Sequence, residues 1–288
     1  MIPSAFEYFA PTTLSEAISL LNTYQDDAKV LAGGHSLIPL MKLRLAAPKY
    51  IIDIGRIADL SYIKESDGSI SIGGMTTHYL IESSDLLKRK CPLLPEVARS
   101  IGDVQVRNRG TIGGSLAHAD PAADWPAAIL ALGAKIKAAG PNGERTINAG
   151  DFFVDMLTSA IAQGEILTEI TVPAIGARAG YAYEKVPQSA SGFAIVGVAV
   201  QISVDDNNIC RSVGIGVTGV TPKPFRAAAV EDALRGRAVD DQLIETASGR
   251  LGVNAEDALG DIHASAEYRV HLAAVHTRRA LKQALARI

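Results

Sequence analysis

Two Gly-Gly pairs constrain the fold of this 288-residue chain more than any other feature. The first lies in Ala32-Gly33-Gly34-His35-Ser36, at the end of the strand-like segment Lys29-Val30-Leu31-Ala32 and before helically spaced apolar positions from Leu37 to Leu43. This order predicts a strand, a tight turn and a helix capped by Ser36. Because glycine has no Cβ, backbone N–H groups here can approach an anion at the positive end of the helix. The pair favours a phosphate-binding turn, with a plain tight turn as the alternative.

The second pair lies in Thr111-Ile112-Gly113-Gly114-Ser115, within a predicted loop from Arg107 to Ser115. The diphosphate of a dinucleotide is too long for one turn, so two turns with unpaired N–H groups would share it. Neither turn matches the G-x-G-x-x-G pattern or a Walker A motif, which counts against the usual Rossmann and P-loop folds. The paired turns therefore favour a nucleotide cofactor held by a different fold.

A polar segment follows the second pair, with Asp120 before Pro121 and Asp124 before Trp125 and Pro126. Either carboxylate is suited to accept hydrogen bonds from sugar or ribityl hydroxyls. The alternative is structural: Asp120 begins a turn and Asp124 caps the next helix. With His118 these carboxylates match no zinc-site spacing, so we expect no bound metal, and no serine or cysteine motif predicts a catalytic nucleophile. Arg107 and Arg109 are equally suited to phosphate contacts and to structural ion pairs.

Composition excludes several classes of protein. With 28 Lys and Arg against 31 Asp and Glu, the net charge of −3 gives no positive field for a polynucleotide. The only two cysteines, Cys91 and Cys210, build neither a disulfide framework nor an iron–sulfur site. No signal peptide or membrane-spanning run is present, so we expect a cytoplasmic protein.

The periodicity of the chain predicts two domains. An amphipathic helix follows Thr13, and strands alternate with helices up to a strand over residues 165–172. Periodicity breaks over 173–180, where we place the domain boundary. Three strands and a series of helices follow, and His271 and His276 of the last helix are predicted to lie at the surface.

These patterns together resemble the FAD-binding medium subunits of the molybdenum hydroxylases, a family that includes carbon monoxide dehydrogenase, quinoline oxidoreductase and xanthine dehydrogenase. The resemblance spans essentially the whole chain. It rests on four segments: Ala32–Pro39, Arg109–Ser115, Asp120–Pro126 and Ala266-Glu267-Tyr268-Arg269. It implies an α+β fold with a two-subdomain FAD-binding domain of the vanillyl-alcohol-oxidase type over residues 1–175, divided at about 57/58. A C-terminal domain with an antiparallel sheet and helices would cover residues 176–288.

The resemblance also implies the residues that bind FAD non-covalently. The two glycine segments would enclose the diphosphate and ribityl chain, Asp124 would bind FAD hydroxyls, and Lys185 and Phe193 would lie beside the isoalloxazine ring. The full set is Ala32, Gly33, Gly34, His35, Ser36, Leu37, Ile101, Gly102, Thr111, Ile112, Gly113, Gly114, Ser115, Asp124, Leu167, Lys185 and Phe193. The chain departs from the family pattern in two places: Ser115 replaces an asparagine common in relatives, and the 186–192 loop is less basic. Both departures bear on the contacts beside the isoalloxazine ring and on the choice of electron acceptor.

The implied function is electron transfer within a larger oxidoreductase. A large partner subunit would carry molybdopterin and a small one two [2Fe–2S] clusters, in a dimer of heterotrimers. FAD on this chain would take electrons from the clusters and reduce an external acceptor. The organic substrate and the acceptor do not follow from this sequence. The alternatives are a free-standing FAD-dependent oxidase or dehydrogenase of related fold, and a regulatory module that binds a non-redox nucleotide.

Overall fold

The N-terminal part of the chain is a small α/β unit with a parallel sheet. In the computed structural model, which describes residues 1–288, Thr13 caps the first helix by accepting a hydrogen bond from the Glu16 N–H. The sheet has the strand order β1-β3-β2, and both pairings are parallel. The elements are β1 (Glu7–Phe9), α1 (Leu14–Tyr24), β2 (Ala28–Leu31), α2 (Leu37–Lys42) and β3 (Tyr50–Asp53). The predicted strand, glycine turn and helix at the first pair are confirmed as β2, residues 32–36 and α2.

The second part contains a five-stranded sheet in which all pairings are antiparallel, with the order β4-β5-β10-β6-β7. Seven helices and a two-stranded ribbon, β8-β9, lie between its strands in the sequence. The elements are β4 (Ile63–Ser66), β5 (Ser69–Gly73), α3 (His78–Ser83), α4 (Asp85–Lys90), α5 (Leu93–Arg99), α6 (Val104–Arg109), α7 (Ile112–His118), α8 (Trp125–Ala131), β6 (Lys135–Gly140), β7 (Gly143–Asn148), α9 (Ala149–Phe152), β8 (Phe153–Asp155), β9 (Thr158–Ser159) and β10 (Ile166–Pro173).

The predicted loop from Arg107 to Ser115 is wrong, because two short helices meet there. Asp103 caps α6 by accepting from the Val106 N–H, and Thr111 caps α7 by accepting from the Gly114 N–H. The second Gly-Gly pair therefore lies in the first turn of α7. Glycine disfavours helix in isolation, so its two consecutive occurrences hid a helix that the cap and tertiary contacts stabilise.

The C-terminal part is an antiparallel sheet covered by helices, as predicted. The sheet has the order β11-β12-β13-β14. The long helix α12 packs on β11 and β12. His271 is exposed, but the surface prediction for His276 is wrong: it is 6% exposed, with Nδ1 3.2 Å from Oε2 of Glu184. The elements are β11 (Ala179–Pro187), β12 (Ala194–Val204), β13 (Cys210–Thr218), β14 (Phe225–Arg226), α10 (Ala228–Leu234), α11 (Asp241–Ser248) and α12 (Ala266–Leu285).

Helix α8 joins the two parts by packing directly on the backbone of β13. A Cβ on Gly214 would lie 1.9 Å from the Ala131 carbonyl oxygen, and one on Gly216 would lie 1.9 Å from that of Ala127. Positions two apart on a strand share one face, so the alternate glycines form a groove for the helix. This approach fixes the N-terminus of α8, and with it Asp124, beside β11. None of the helices combines the length and apolar character that crossing a membrane requires.

Candidate cofactor site

A cavity of about 670 Å³ lies where the first glycine turn, α7 and the loop before β12 meet. Every residue of the predicted FAD-binding set lines it except Ile112 and Lys185. Ile112 is fully buried in the hydrophobic core beneath α7, and Lys185 is held behind Asp124. Phe193 is 44% exposed at the cavity wall. A Cβ on the neighbouring Gly192 would lie 3.9 Å from the Cα of Gly102. The cavity therefore brings together residues that are distant in sequence, from Leu21 to Phe193.

The first glycine turn presents a row of free donors. The backbone N–H groups of residues 33–37 have no acceptor within the protein, and they precede or begin α2. Ser36 makes no side-chain capping bond, contrary to prediction, so these donors stay available. Gly34 has φ +79°, a left-handed conformation that glycine adopts without strain. Successive N–H groups at a helix N-terminus form an anion-binding site.

The second glycine pair has no free N–H groups, which corrects the prediction of two equivalent turns. Ile112 donates to the Thr76 carbonyl and Gly113 to that of Gly74. Gly114 donates to Thr111 Oγ1, and Ser115 donates to the carbonyl of Thr111. These amides satisfy the fold, so this side of the cavity must offer side chains to a ligand.

Close backbone packing explains why glycine is needed at these turns. A Cβ on Gly33 would lie 2.2 Å from the Arg109 carbonyl oxygen and 2.7 Å from the Cα of Gly110. A Cβ on Gly113 would lie 2.5 Å from the Gly74 carbonyl oxygen. Gly33 therefore lets the turn after β2 contact the end of α6, which brings the two glycine segments to one side of the cavity.

Asp124 lies at the cavity wall in a buried network with two residues of β11. Its side chain is 5% exposed, and Lys185 Nζ lies 2.8 Å from Oδ1 and 2.9 Å from Oδ2. The Tyr183 hydroxyl donates to Oδ1 at 2.5 Å, and Lys185 also donates to the Ser100 carbonyl at 2.9 Å. Burial raises the pKa of Asp124, while these two hydrogen-bond donors oppose that rise. Asp124 occupies the predicted N-cap position of α8, but its side chain makes no capping hydrogen bond.

Two other polar residues have structural roles. Asp120 forms the predicted turn, since its Oδ1 accepts from the Ala122 N–H at 2.8 Å. Arg107 donates to Glu82 Oε2 at 2.8 Å and also to the carbonyl oxygens of residues 101 and 102. Arg107 is thus a structural residue, whereas Arg109 is exposed and forms no ion pair.

His78 also lines the cavity, although it is only 4% exposed and belongs to no motif identified in the sequence. The indole N–H of Trp125 donates to its Nδ1 at 3.1 Å. Burial lowers the pKa of His78 to about 4, with smaller contributions from His35 and Arg107. His78 is therefore neutral near pH 7. The local sequence around His78 does not predict its place in the cavity, because its contact with Trp125 joins residues that are 47 positions apart.

Comparisons with known proteins agree with this architecture. Residues 4–175 match the family described as the FAD binding domain in molybdopterin dehydrogenase. Residues 181–284 match the family described as the carbon monoxide dehydrogenase flavoprotein C-terminal domain. The two matches together account for nearly the whole chain.

Individual relatives extend along the full length of the chain. The carbon monoxide dehydrogenase medium chain of Hydrogenophaga pseudoflava is 40% identical over 287 residues, covering 100% of this chain and 99% of the relative. The glyceraldehyde dehydrogenase medium chain of Sulfolobus acidocaldarius is 38% identical, with 98% and 99% coverage. A solved structure of the Hydrogenophaga pseudoflava carbon monoxide dehydrogenase superposes with a TM-score of 0.95 at 40% identity, covering 99% of each chain. The chain therefore belongs to the FAD-binding medium subunits of the molybdenum hydroxylases, and is an oxidoreductase subunit similar to the carbon monoxide dehydrogenase medium chains.

Proposed function

We propose that this chain binds FAD non-covalently in the cavity between the first glycine turn and β11. It would serve as the electron-transfer subunit of a heteromeric molybdenum hydroxylase. The observation that carries the proposal is the row of free N–H groups at residues 33–37, which opens onto a cavity of about 670 Å³. Such donors suit the diphosphate of a dinucleotide. When bound, FAD would accept electrons from [2Fe–2S] clusters of a partner subunit and pass them to an external acceptor.

The residues of the chain would bind and orient the cofactor rather than react with it. Gly33 to Leu37 would donate backbone hydrogen bonds to the diphosphate, and Ser115 would offer a hydroxyl from the adjacent second glycine segment. Asp124 would accept a hydrogen bond from a ribityl or ribose hydroxyl. Each of its carboxylate oxygens can accept more than one bond, so the contacts with Tyr183 and Lys185 leave acceptor capacity.

The flavin ring would lie toward Phe193, Gly102 and Leu167. Phe193 supplies an aromatic face at the cavity wall, and Leu167 supplies an apolar one. Lys185 would act on the ring only through Asp124, because its ammonium group is tied to that carboxylate and to the Ser100 carbonyl. Its positive charge is largely compensated by Asp124, which limits its influence on flavin potential.

We assign the FAD-binding domain to residues 1–175, with subdomains of about 1–57 and 58–175, and the C-terminal domain to 176–288. A large molybdopterin subunit and a small subunit with two [2Fe–2S] clusters would assemble with this chain as a dimer of heterotrimers. Relatives described as medium chains of carbon monoxide, glyceraldehyde and nicotine-converting enzymes support a multisubunit complex.

The proposal is tested by titrating FAD into the purified, flavin-free chain and measuring the Kd by calorimetry. We expect tight one-to-one binding that Gly33→Ala weakens at least tenfold, because its Cβ would push apart the two segments at the cavity. Gly150→Ala is the matched control, since nothing lies within 4 Å of its Cβ position. A chain that binds no FAD would refute the proposed function.

Pull-down of the tagged chain from its source tests the multisubunit assignment. We expect it to recover the molybdopterin and iron–sulfur subunits, and recovery of the chain alone would refute the assignment.

A further inference from the structure

We propose that His78 is a cofactor-binding residue whose Nε2–H donates a hydrogen bond to the FAD diphosphate. This inference rests on the proposed function, since it assigns a further contact for the same ligand. Nothing in the glycine motifs identifies this residue. His78 is held at the cavity wall by residues that are distant from it in the sequence.

The hydrogen bond from Trp125 determines which nitrogen of His78 carries the proton. An indole N–H can only donate, so Nδ1, which lies 3.1 Å from Trp125 Nε1, must accept. A neutral imidazole with an unprotonated Nδ1 carries its proton on Nε2. The low pKa of His78, about 4, agrees with the neutral form. Trp125 thus fixes Nε2 as a hydrogen-bond donor.

This donor has no partner within the protein. Nε2 makes no hydrogen bond, yet it is not among the fully enclosed polar atoms without partners, which are Gln201 Oε1, Ser248 Oγ, Arg269 Nε and Thr277 Oγ1. Nε2 therefore reaches the cavity that His78 lines. A donor held at a cavity wall by a buried hydrogen bond is already positioned to bind a ligand.

The position of Nε2 points to the diphosphate rather than to the flavin ring or adenine. A Cβ on Gly110 would lie 2.7 Å from Nε2, and one on Gly33 would lie 2.7 Å from the Cα of Gly110. His78, Gly110 and Gly33 thus form one chain of contacts that begins at the free N–H groups of residues 33–37. His35 lies close enough to influence the titration of His78.

The second glycine segment offers a ligand no backbone donors, which leaves a place for the donor of His78. Its backbone N–H groups at residues 112–115 are all hydrogen-bonded within the protein. The diphosphate, enclosed by residues 33–37 on one side, would still have oxygens facing α3 and α7. A neutral Nε2–H supplies a hydrogen bond there without adding a charge beside the buried indole.

Two substitutions separate the ligand contact from the structural contact. In His78→Asn, the amide oxygen replaces Nδ1 and keeps the acceptor for Trp125, but the side chain is too short to replace Nε2. In His78→Gln, the longer amide places a donor near the position of Nε2 and removes the acceptor for Trp125. Trp125 fluorescence and thermal unfolding of the flavin-free variants measure the structural contact independently.

The experiment measures the Kd of FAD, ADP and adenosine for the full-length, flavin-free chain and both variants. We expect His78→Asn to raise the Kd of FAD and ADP about tenfold or more, the effect of losing a hydrogen bond to a charged group, and to leave adenosine unchanged. We expect His78→Gln to stay within about threefold of wild type for FAD and ADP, although its Trp125 emission and thermal stability change.

Each result decides the inference. Wild-type affinity in His78→Asn, or an equal loss for adenosine, would overturn it while FAD binding by the wild-type chain still supported the proposed function. Equal losses in both variants would indicate a structural role and would also overturn it. If His78→Asn does not fold, His78→Gln decides alone: retained affinity supports the contact, and lost affinity refutes it. Absence of FAD binding in the wild type would instead refute the proposed function.

Discussion

The ion pair between Lys185 and Asp124 allows a sharp prediction for Lys185→Met. Lys185 is 7% exposed in its side chain and Asp124 is 5% exposed, so the substitution leaves a buried carboxylate whose remaining donor is the Tyr183 hydroxyl. Removing one partner of a buried ion pair costs about 3–5 kcal/mol. The variant can escape part of this cost by protonating Asp124. From an ordinary pKa near 4, protonation at pH 7 costs about 4 kcal/mol, which limits the loss.

The pH dependence follows from the sign of this pKa shift. Without Lys185, burial raises the pKa of folded Asp124 further above its unfolded value. The folded variant then binds the proton more tightly than the unfolded chain does, so its free energy of unfolding falls as pH rises above about 4. We therefore expect a loss of about 3–4 kcal/mol at pH 7 that shrinks toward pH 4.5.

The assay is urea unfolding of the flavin-free chain, followed by the fluorescence of Trp125, which is the only tryptophan and adjoins Asp124. The matched control is the double variant Lys185→Met/Asp124→Asn, in which a neutral amide still accepts from Tyr183. We expect it to recover to within about 1–2 kcal/mol of wild type with little pH dependence, because the unpaired charge is gone. A single variant as stable as wild type at pH 7, or a loss equal at pH 4.5 and pH 7, would refute the reasoning.

Three further predictions concern other contacts. Gly33→Ala should lower the free energy of unfolding by about 1–3 kcal/mol even without FAD, because its Cβ meets the Arg109 carbonyl; Gly150→Ala should not, and equal melting temperatures would contradict this. Arg269→Met should cost about 3 kcal/mol in denaturant unfolding, since Arg269 is 3% exposed and donates to two backbone carbonyls; a neutral effect would show that water replaces it. Cys91 should resist thiol reagents at pH 8 until urea is added, because burial raises its pKa to about 12; rapid native labelling would contradict that burial.

Local signals predicted the elements of the fold well. The helix after Thr13 and the strand and turn before α2 were each predicted from neighbours within one element. Helix α7 was missed because Gly113 and Gly114 weaken every local helix signal there. Its stability comes from Thr111 and from the Gly74 carbonyl, which is distant in sequence.

Most of the residues that line the cavity could be named from the sequence, but the contacts among them could not. The glycine motifs and the family resemblance named the residues that line the cavity, with Ile112 and Lys185 as exceptions. Tyr183 and Lys185 lie two apart on β11, so they share a face, and that signal was available from the sequence. Their common partner, Asp124, was not predictable, because it depends on how α8 docks on β13.

That docking gives the C-terminal sheet a direct part in the candidate cofactor site. The carbonyl oxygens of residues 121–123 all contact it: Gly219 N–H donates to Pro121, Ala194 N–H donates to Ala122, and Thr218 Oγ1 lies 2.8 Å from the carbonyls of both Pro121 and Ala123. The side chain of Asp124 is then held by β11. Ala123 and Asp124 line the cavity, so one wall belongs to the N-terminal domain in sequence but is held in place by the other domain. Substitutions in the C-terminal sheet that touch no part of the ligand should therefore weaken FAD binding, because they release the carbonyls of this segment.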